Sequence, residues 1–164
     1  MKTVIELLYD PELDTRPVDD LLFDMERQSE KDPGIRQLYK LIVRGLEVLE
    51  HHGLDFALRE YLVETREDGK PYTIKLAKEL RDHVPLIEFR VNWVGTGAFR
   101  AVFFEYVRDN TQILVFPRAI IKQATYDLEF ERIVAETESL YQDFCKFPER
   151  YIAFPGGVED VETK

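Results

Sequence analysis

Cysteine occurs once, at Cys145, so no intrachain disulfide can close and no cysteine-based zinc site can be assembled. It reads as a small helix residue rather than a reactive thiol. Histidine is nearly as scarce, with three in 164 residues. The adjacent pair His51-His52 points about 100° apart on a helix and cannot readily share one ion. At a helix C-terminus the pair suits the dipole instead. No HxxxH or HxH spacing occurs, and neither a metal nor a cofactor is expected. No apolar run approaches the ~20 residues that span a bilayer. In MKTVIELLYD acids follow the short apolar run directly and no small-residue cleavage site appears, so it reads as a first strand, not a signal peptide. A cytoplasmic location without a membrane partner is the expectation. Positive charge is the last shortage: 22 Lys+Arg against 32 Asp+Glu give a net charge of -10, which opposes non-specific nucleic-acid binding.

What is present is enough for one ordinary domain: 45% hydrophobic and 33% charged residues fit a soluble globular chain. A single domain over 1–153, with a mobile acidic tail over 154–164, is expected. The charge is unevenly spread. Residues 1–69 carry nine Lys+Arg against 17 Asp+Glu, residues 70–126 nine against five, and residues 127–164 four against ten. The net-positive middle coincides with the clearest pattern in the chain. Ile87, Phe89, Val91 and Trp93 alternate with Glu88, Arg90 and Asn92, the signature of a strand with one buried face. Gly95-Thr96-Gly97 supplies a turn. A second strand covers about Phe99 to Val107, Asp109-Asn110 suits a hairpin, and a third strand covers Gln112 to Phe116, with Ala119 to Lys122 continuing extended. Such short connections require an antiparallel meander.

Thr3 to Tyr9 reads as the first strand. Pro17 opens a helix to about Ser29, carried by Val18, Leu21, Leu22 and Met25. Asp32 caps a second helix, whose apolar face from Ile35 to Leu49 ends at Gly53. Two antiparallel helices follow, joined by a short loop. Leu54 to Tyr72 reads as irregular or short helix closing in a Glu67–Pro71 loop, and Tyr72 to Leu76 as a short strand. Thr125 or Asp127 caps a final helix that ends near Phe147-Pro148.

This α+β order, with an N-terminal strand, a helical hairpin, a β-meander and a C-terminal helix, resembles the RelE/ParE toxin superfamily, in its phage-derived HigB-like branch. Leu86-Ile87-Glu88-Phe89-Arg90 resembles the family's L-W-E-L-R strand. Phe99-Arg100-Ala101-Val102-Phe103 resembles its Y-R-x-x-Y/F strand. Ile113 to Lys122 resembles the hydrophobic strand that runs into F-x-K-K-T, and Pro17-Val18 resembles the P-V-x-x-F-L helix start. The likeness spans about residues 3–146. The chain departs from the pattern at Gln123, where the family has a second lysine, at Ala124 in place of threonine, in a Glu64–Tyr72 insertion, and in its acidic balance.

The resemblance implies a toxin of a type II toxin–antitoxin system that cuts mRNA on the ribosome by metal-independent attack of the 2′-hydroxyl on the adjacent phosphate. It implies Arg100 as the phosphate ligand, since a guanidinium fork matches phosphate oxygens. Lys122 would stabilise developing charge or act as base, and Tyr126 would stack on a base or donate a proton. Arg90 and Arg118 would grip flanking phosphates, with Lys75 and Lys78 adding positive charge at the mouth of the meander. The implied partners are a helix-turn-helix antitoxin, the ribosome and mRNA, with a homodimer left open. Each cation also has a purely structural reading: Arg90 shares a polar face with Glu88, and Arg100 can pair with Glu105 or a helix acid. The alternative function is a non-catalytic protein-binding module on the same scaffold, either a degenerate toxin or a gyrase-type target inhibitor.

Overall fold

The alternating stretch that begins at Ile87 becomes an inner strand of a five-stranded sheet. The computed structural model describes residues 1–122 and 128–154. In chain order these form β1 (Lys2–Leu7), α1 (Pro17–Gln28), α2 (Pro33–His52), α3 (Leu54–Arg59), β2 (Leu62–Thr65), β3 (Pro71–Ile74), β4 (Ala77–Glu79), β5 (Ile87–Trp93), β6 (Gly97–Arg108), β7 (Thr111–Lys122) and α4 (Leu128–Lys146). Among these, no helix is long and apolar enough to cross a membrane.

The main sheet has the order β1-β7-β6-β5-β4. Strands β5 to β7 form the expected antiparallel meander, which the short β4 extends by one strand. The Asp109-Asn110 turn places both residues at positive φ (51° and 57°), the geometry of a type I′ hairpin. β1 joins the far side of β7 in parallel, which the intervening helices permit.

β7 carries a bulge. Val102 faces Arg118 while Phe104 faces Val115, so Phe103 spans two residues, Phe116 and Pro117. Proline cannot donate to a ladder and is tolerated inside a sheet at such an irregularity. β1 pairing also ends at this level, with Leu7 opposite Phe116. Before the bulge Leu114 and Phe116 point toward the N-terminal helices and Ile113 and Val115 toward α4. Beyond it, Ala119 and Ile121 take the first side and Ile120 the second.

Each face of the sheet buries a core. On one face α1, α2 and α3 cover Phe89, Phe99, Phe103 and Phe116, where the Phe103 and Phe116 rings stack at 4.5 Å. α2 starts as its sequence dictates: the Asp32 carboxylate accepts from the Gly34 and Ile35 N–H groups at 2.9 and 3.1 Å. Its middle approaches β5 closely, because a Cβ on Gly45 would lie 2.9 Å from Leu76 Cδ2 and 3.1 Å from Phe89 Cζ. On the other face Ile133, Val134 and Phe144 of α4 close over Leu8, Val102 and Phe104.

The stretch from Leu54 to Tyr72 corrects the irregular reading. After the short α3 it forms a β2–β3 hairpin, a separate two-stranded sheet turned at Gly69 (φ 83°). Ion pairs tie the hairpin to α2, with Glu67 to Arg36 and Lys40 and Glu64 to Arg44. The caps expected at Thr125 or Asp127 lie outside the described residues, as does the tail from residue 155. Phe154 packs near Tyr106 and beneath the Arg108 guanidinium.

Candidate functional site

Strand register decides which of the predicted cations meet. Because Ile87, Phe89, Phe99 and Ala101 face the helical hairpin, Glu88, Arg90 and Arg100 must face the α4 side. There Arg90 stands opposite Arg100, which stands opposite Ile120. In the next row Asn92 faces Ala98, and Ala98 faces Lys122. On the other side of the Arg90–Arg100 row, Lys78 faces Glu88, Glu88 faces Val102 and Val102 faces Arg118. Lys78, Arg90, Arg100 and Lys122 therefore share one end of one face, and Arg118 stands at that same end in the row of Lys78 and Glu88.

Two arginines directly opposite each other repel, and a carboxylate neutralises one of them. Glu88 Oε2 lies 2.7 Å from Arg100 Nη1, with the Glu88 side chain only 5% exposed. This replaces the expected Glu105 partner, whose carboxylate takes the Gln112 amide at 2.5 Å. Arg100 Nε is buried and has no hydrogen-bond partner among the described residues. Arg90 donates through Nε to the Lys75 carbonyl at 3.3 Å, so Lys75 contributes its main chain here. Among the described residues no carboxylate lies within ion-pair distance of Lys78, Arg90 or Lys122. Tyr126 lies outside the described residues.

Arg118 has a different fate. Its Nη2 reaches Asp10 Oδ2 at 2.5 Å and its Nε reaches Glu136 Oε2 at 3.3 Å, and Glu136 also holds Arg132 at 2.7 Å. Both Arg118 and Asp10 are largely enclosed, with side chains 12% and 3% exposed. Burial raises the Asp10 pKa. Hydrogen bonds from Arg118 and the Leu13 and Glu12 N–H groups, together with the Arg118 charge, outweigh it and hold the carboxyl below its ordinary range. Arg118 thus ties the end of β1, the bulged strand and α4 together.

Sequence reasoning missed three partners of these cations: Glu88 for Arg100, and Asp10 and Glu136 for Arg118. Glu88 had a local signal, since period two puts it on the Arg90 face. Asp10 had none, being 108 positions from Arg118. A side wall was also missed. Tyr72 of the hairpin donates to the Asn92 carbonyl at 2.9 Å, and Arg66 lies over the Trp93 ring at 4.4 Å, so the small sheet flanks the end of β5 next to the cations.

The arrangement offers a concentrated positive field on an acidic protein, with one guanidinium pre-oriented by a buried carboxylate. Such a surface favours an oxyanion, above all a phosphate group. No protein-family model, curated protein or solved structure matches this chain.

Proposed function

We propose that this chain is a RelE-like toxin-type protein that binds an RNA phosphodiester at the Lys78–Arg90–Arg100–Lys122 end of its sheet and cleaves mRNA on the ribosome. The observation that carries this reading is the register: it sets four cations on one face of neighbouring strands, with a carboxylate paired to Arg100 alone among the described residues, in a chain of net charge -10. Arg100 grips the phosphate with the donors Glu88 does not use and offsets charge that develops on the phosphorane. The 2′-oxygen bonds to phosphorus as the bond to the 5′-oxygen breaks, leaving a 2′,3′-cyclic phosphate and a 5′-hydroxyl. The 2′-hydroxyl proton passes to a base, for which Lys122 is the candidate, and the leaving oxygen takes a proton from an acid, for which Tyr126 is the candidate. A helix-turn-helix antitoxin is the proposed partner.

A second reading is favoured by the engagement of Arg118 with Asp10 and Glu136, which removes a cation from RNA contact. Gln123 in place of a second lysine adds to it. In that reading the scaffold binds a protein target and cuts nothing.

Induced expression in a bacterial host with primer-extension mapping of a reporter mRNA separates the two. Growth arrest with cuts inside translated codons supports the nuclease, and arrest without cuts supports the binding module. Lys122→Ala, which leaves the ion pairs intact, relieves the arrest if the site is correctly placed. A fully toxic Lys122→Ala would overturn the assignment.

A further inference from the structure

β1 is the outermost strand of the main sheet, and among the described residues no strand pairs with its second edge. The Leu8 N–H bonds back to the Phe116 carbonyl on β7, while the Ile5 N–H meets the Glu50 carboxylate at 3.3 Å on the opposite side. Main-chain groups alternate along a strand, so Thr3, Ile5 and Leu7 turn their N–H and C=O groups outward. Side chains alternate too. Ile5 and Leu7 face the helical side, where they border a cleft of about 710 Å³ with Val43 and Leu46 of α2. Lys2, Val4 and Glu6 share the other face, with Val4 and Glu6 beside Ile113.

We propose that this edge pairs antiparallel with β1 of a second copy of the chain, about a two-fold axis through Val4. A two-fold contact is self-complementary, so whatever residue i meets, the reverse contact occurs as well. Centring on Val4 sets Thr3 opposite Ile5, both outward-facing, as a hydrogen-bonded pair needs. It also sets Lys2 opposite Glu6 of the second copy, twice, and Val4 opposite its own copy. Charge complementarity selects this register. Moving the axis by half a residue pairs outward groups with inward ones. Moving it a full residue in either direction keeps the hydrogen bonds but sets Glu6 opposite Val4, or Lys2 opposite Val4, and both ion pairs vanish. Glu50 guards the edge: its carboxylate occupies the Ile5 N–H until the second strand displaces it, a charged device against indiscriminate pairing. The basic cluster lies beyond the bulge, outside the β1-paired part of β7, and stays open in the dimer.

The test is sedimentation velocity on the full chain across a concentration series, with circular dichroism as the check on folding. The expected result is a concentration-dependent shift from 19.3 kDa to twice that mass. Glu50→Ala should tighten the association. Lys2→Glu, at an exposed position, should weaken it about tenfold by placing acid opposite acid twice. The double variant Lys2→Glu/Glu6→Lys should restore it, since the pair is merely reversed. Both the natural chain and Glu50→Ala remaining monomeric at millimolar concentration would overturn the proposal. So would a dimer indifferent to Lys2→Glu, or one that the double reversal fails to restore.

Discussion

The face of the sheet beneath α4 carries two sets of cations that look alike in sequence and differ in the fold. Arg118 meets Asp10 and Glu136 and is sealed between β1 and α4. Arg100 pairs with Glu88, and Lys78, Arg90 and Lys122 stand on the same face with no carboxylate in reach among the described residues. Both sets are arginine or lysine set in apolar strands. What separates them is delivery of acid by distant chain: the β1–α1 turn and α4 supply carboxylates to Arg118 and, among the described residues, none to Lys78, Arg90 or Lys122. A cation's role here is set by who reaches it, not by the strand that carries it.

The comparison breaks most visibly at Arg118. Arg118→Ala leaves Asp10 buried and unpaired, so urea denaturation should show a loss of about 3–5 kcal/mol. A loss under about 1 kcal/mol would mean the Asp10–Arg118 pair is not what holds these elements together. The same pair carries a pH signature. Asp10 has its folded pKa below its unfolded one, so its contribution is fully present above the unfolded value of about 4 and is lost as pH falls through the folded value. Acid titration of stability should therefore steepen below about pH 4 in the natural chain, and Asp10→Asn should flatten that limb.

At the cations that distant acids do not reach, the effects shrink. Arg100→Ala strands the Glu88 carboxylate and should cost about 2–3 kcal/mol, with Glu88→Gln in the same chain recovering part of it. No recovery in the double variant would show that the lost contact is packing rather than charge. Lys122→Ala should be smallest, within about 0.5 kcal/mol in the same denaturation assay, although it removes the proposed activity. A large stability loss there would place Lys122 with Arg118 as a structural cation.

Local signals carried much of the fold. Period two in Ile87–Trp93, the Asp109-Asn110 turn, the Asp32 cap and Pro17 each fixed an element by nearby sterics or hydrogen bonding, and each formed as expected. Non-local pairing was less legible. The reading of Tyr72 to Leu76 as a short strand meets β3 over Tyr72–Ile74, whereas β2 and β4, of four and three residues, are too short for their alternation to stand out from a loop. The parallel docking of β1 on β7 joins segments more than 100 residues apart, and nothing in either announces it. For the candidate site, the sequence placed the cations in the right strands. The carboxylates that distinguish them came from register and from chain far away.

The bulge at Phe116-Pro117 makes the strand count differently on its two sides. Up to it, odd-numbered residues of β7 look toward α4; after it, even-numbered ones do. Lys122 shares a face with Arg90 and Arg100 because the bulge absorbs that one extra residue, so alternation resumes at Arg118 as though Pro117 were absent. Loss of the Pro117 codon would remove the bulge and leave Arg118, Ile120 and Lys122 on the α4 side. Loss of a single codon at Ala119 instead would send Lys122 to the opposite surface, among the N-terminal helices, and bring Ile121 to the cationic face in its place. For this chain the reading frame of the strand is as much a part of the site as the side chains are, and an alignment that counted Pro117 as a paired residue would assign every later residue to the wrong side of the sheet.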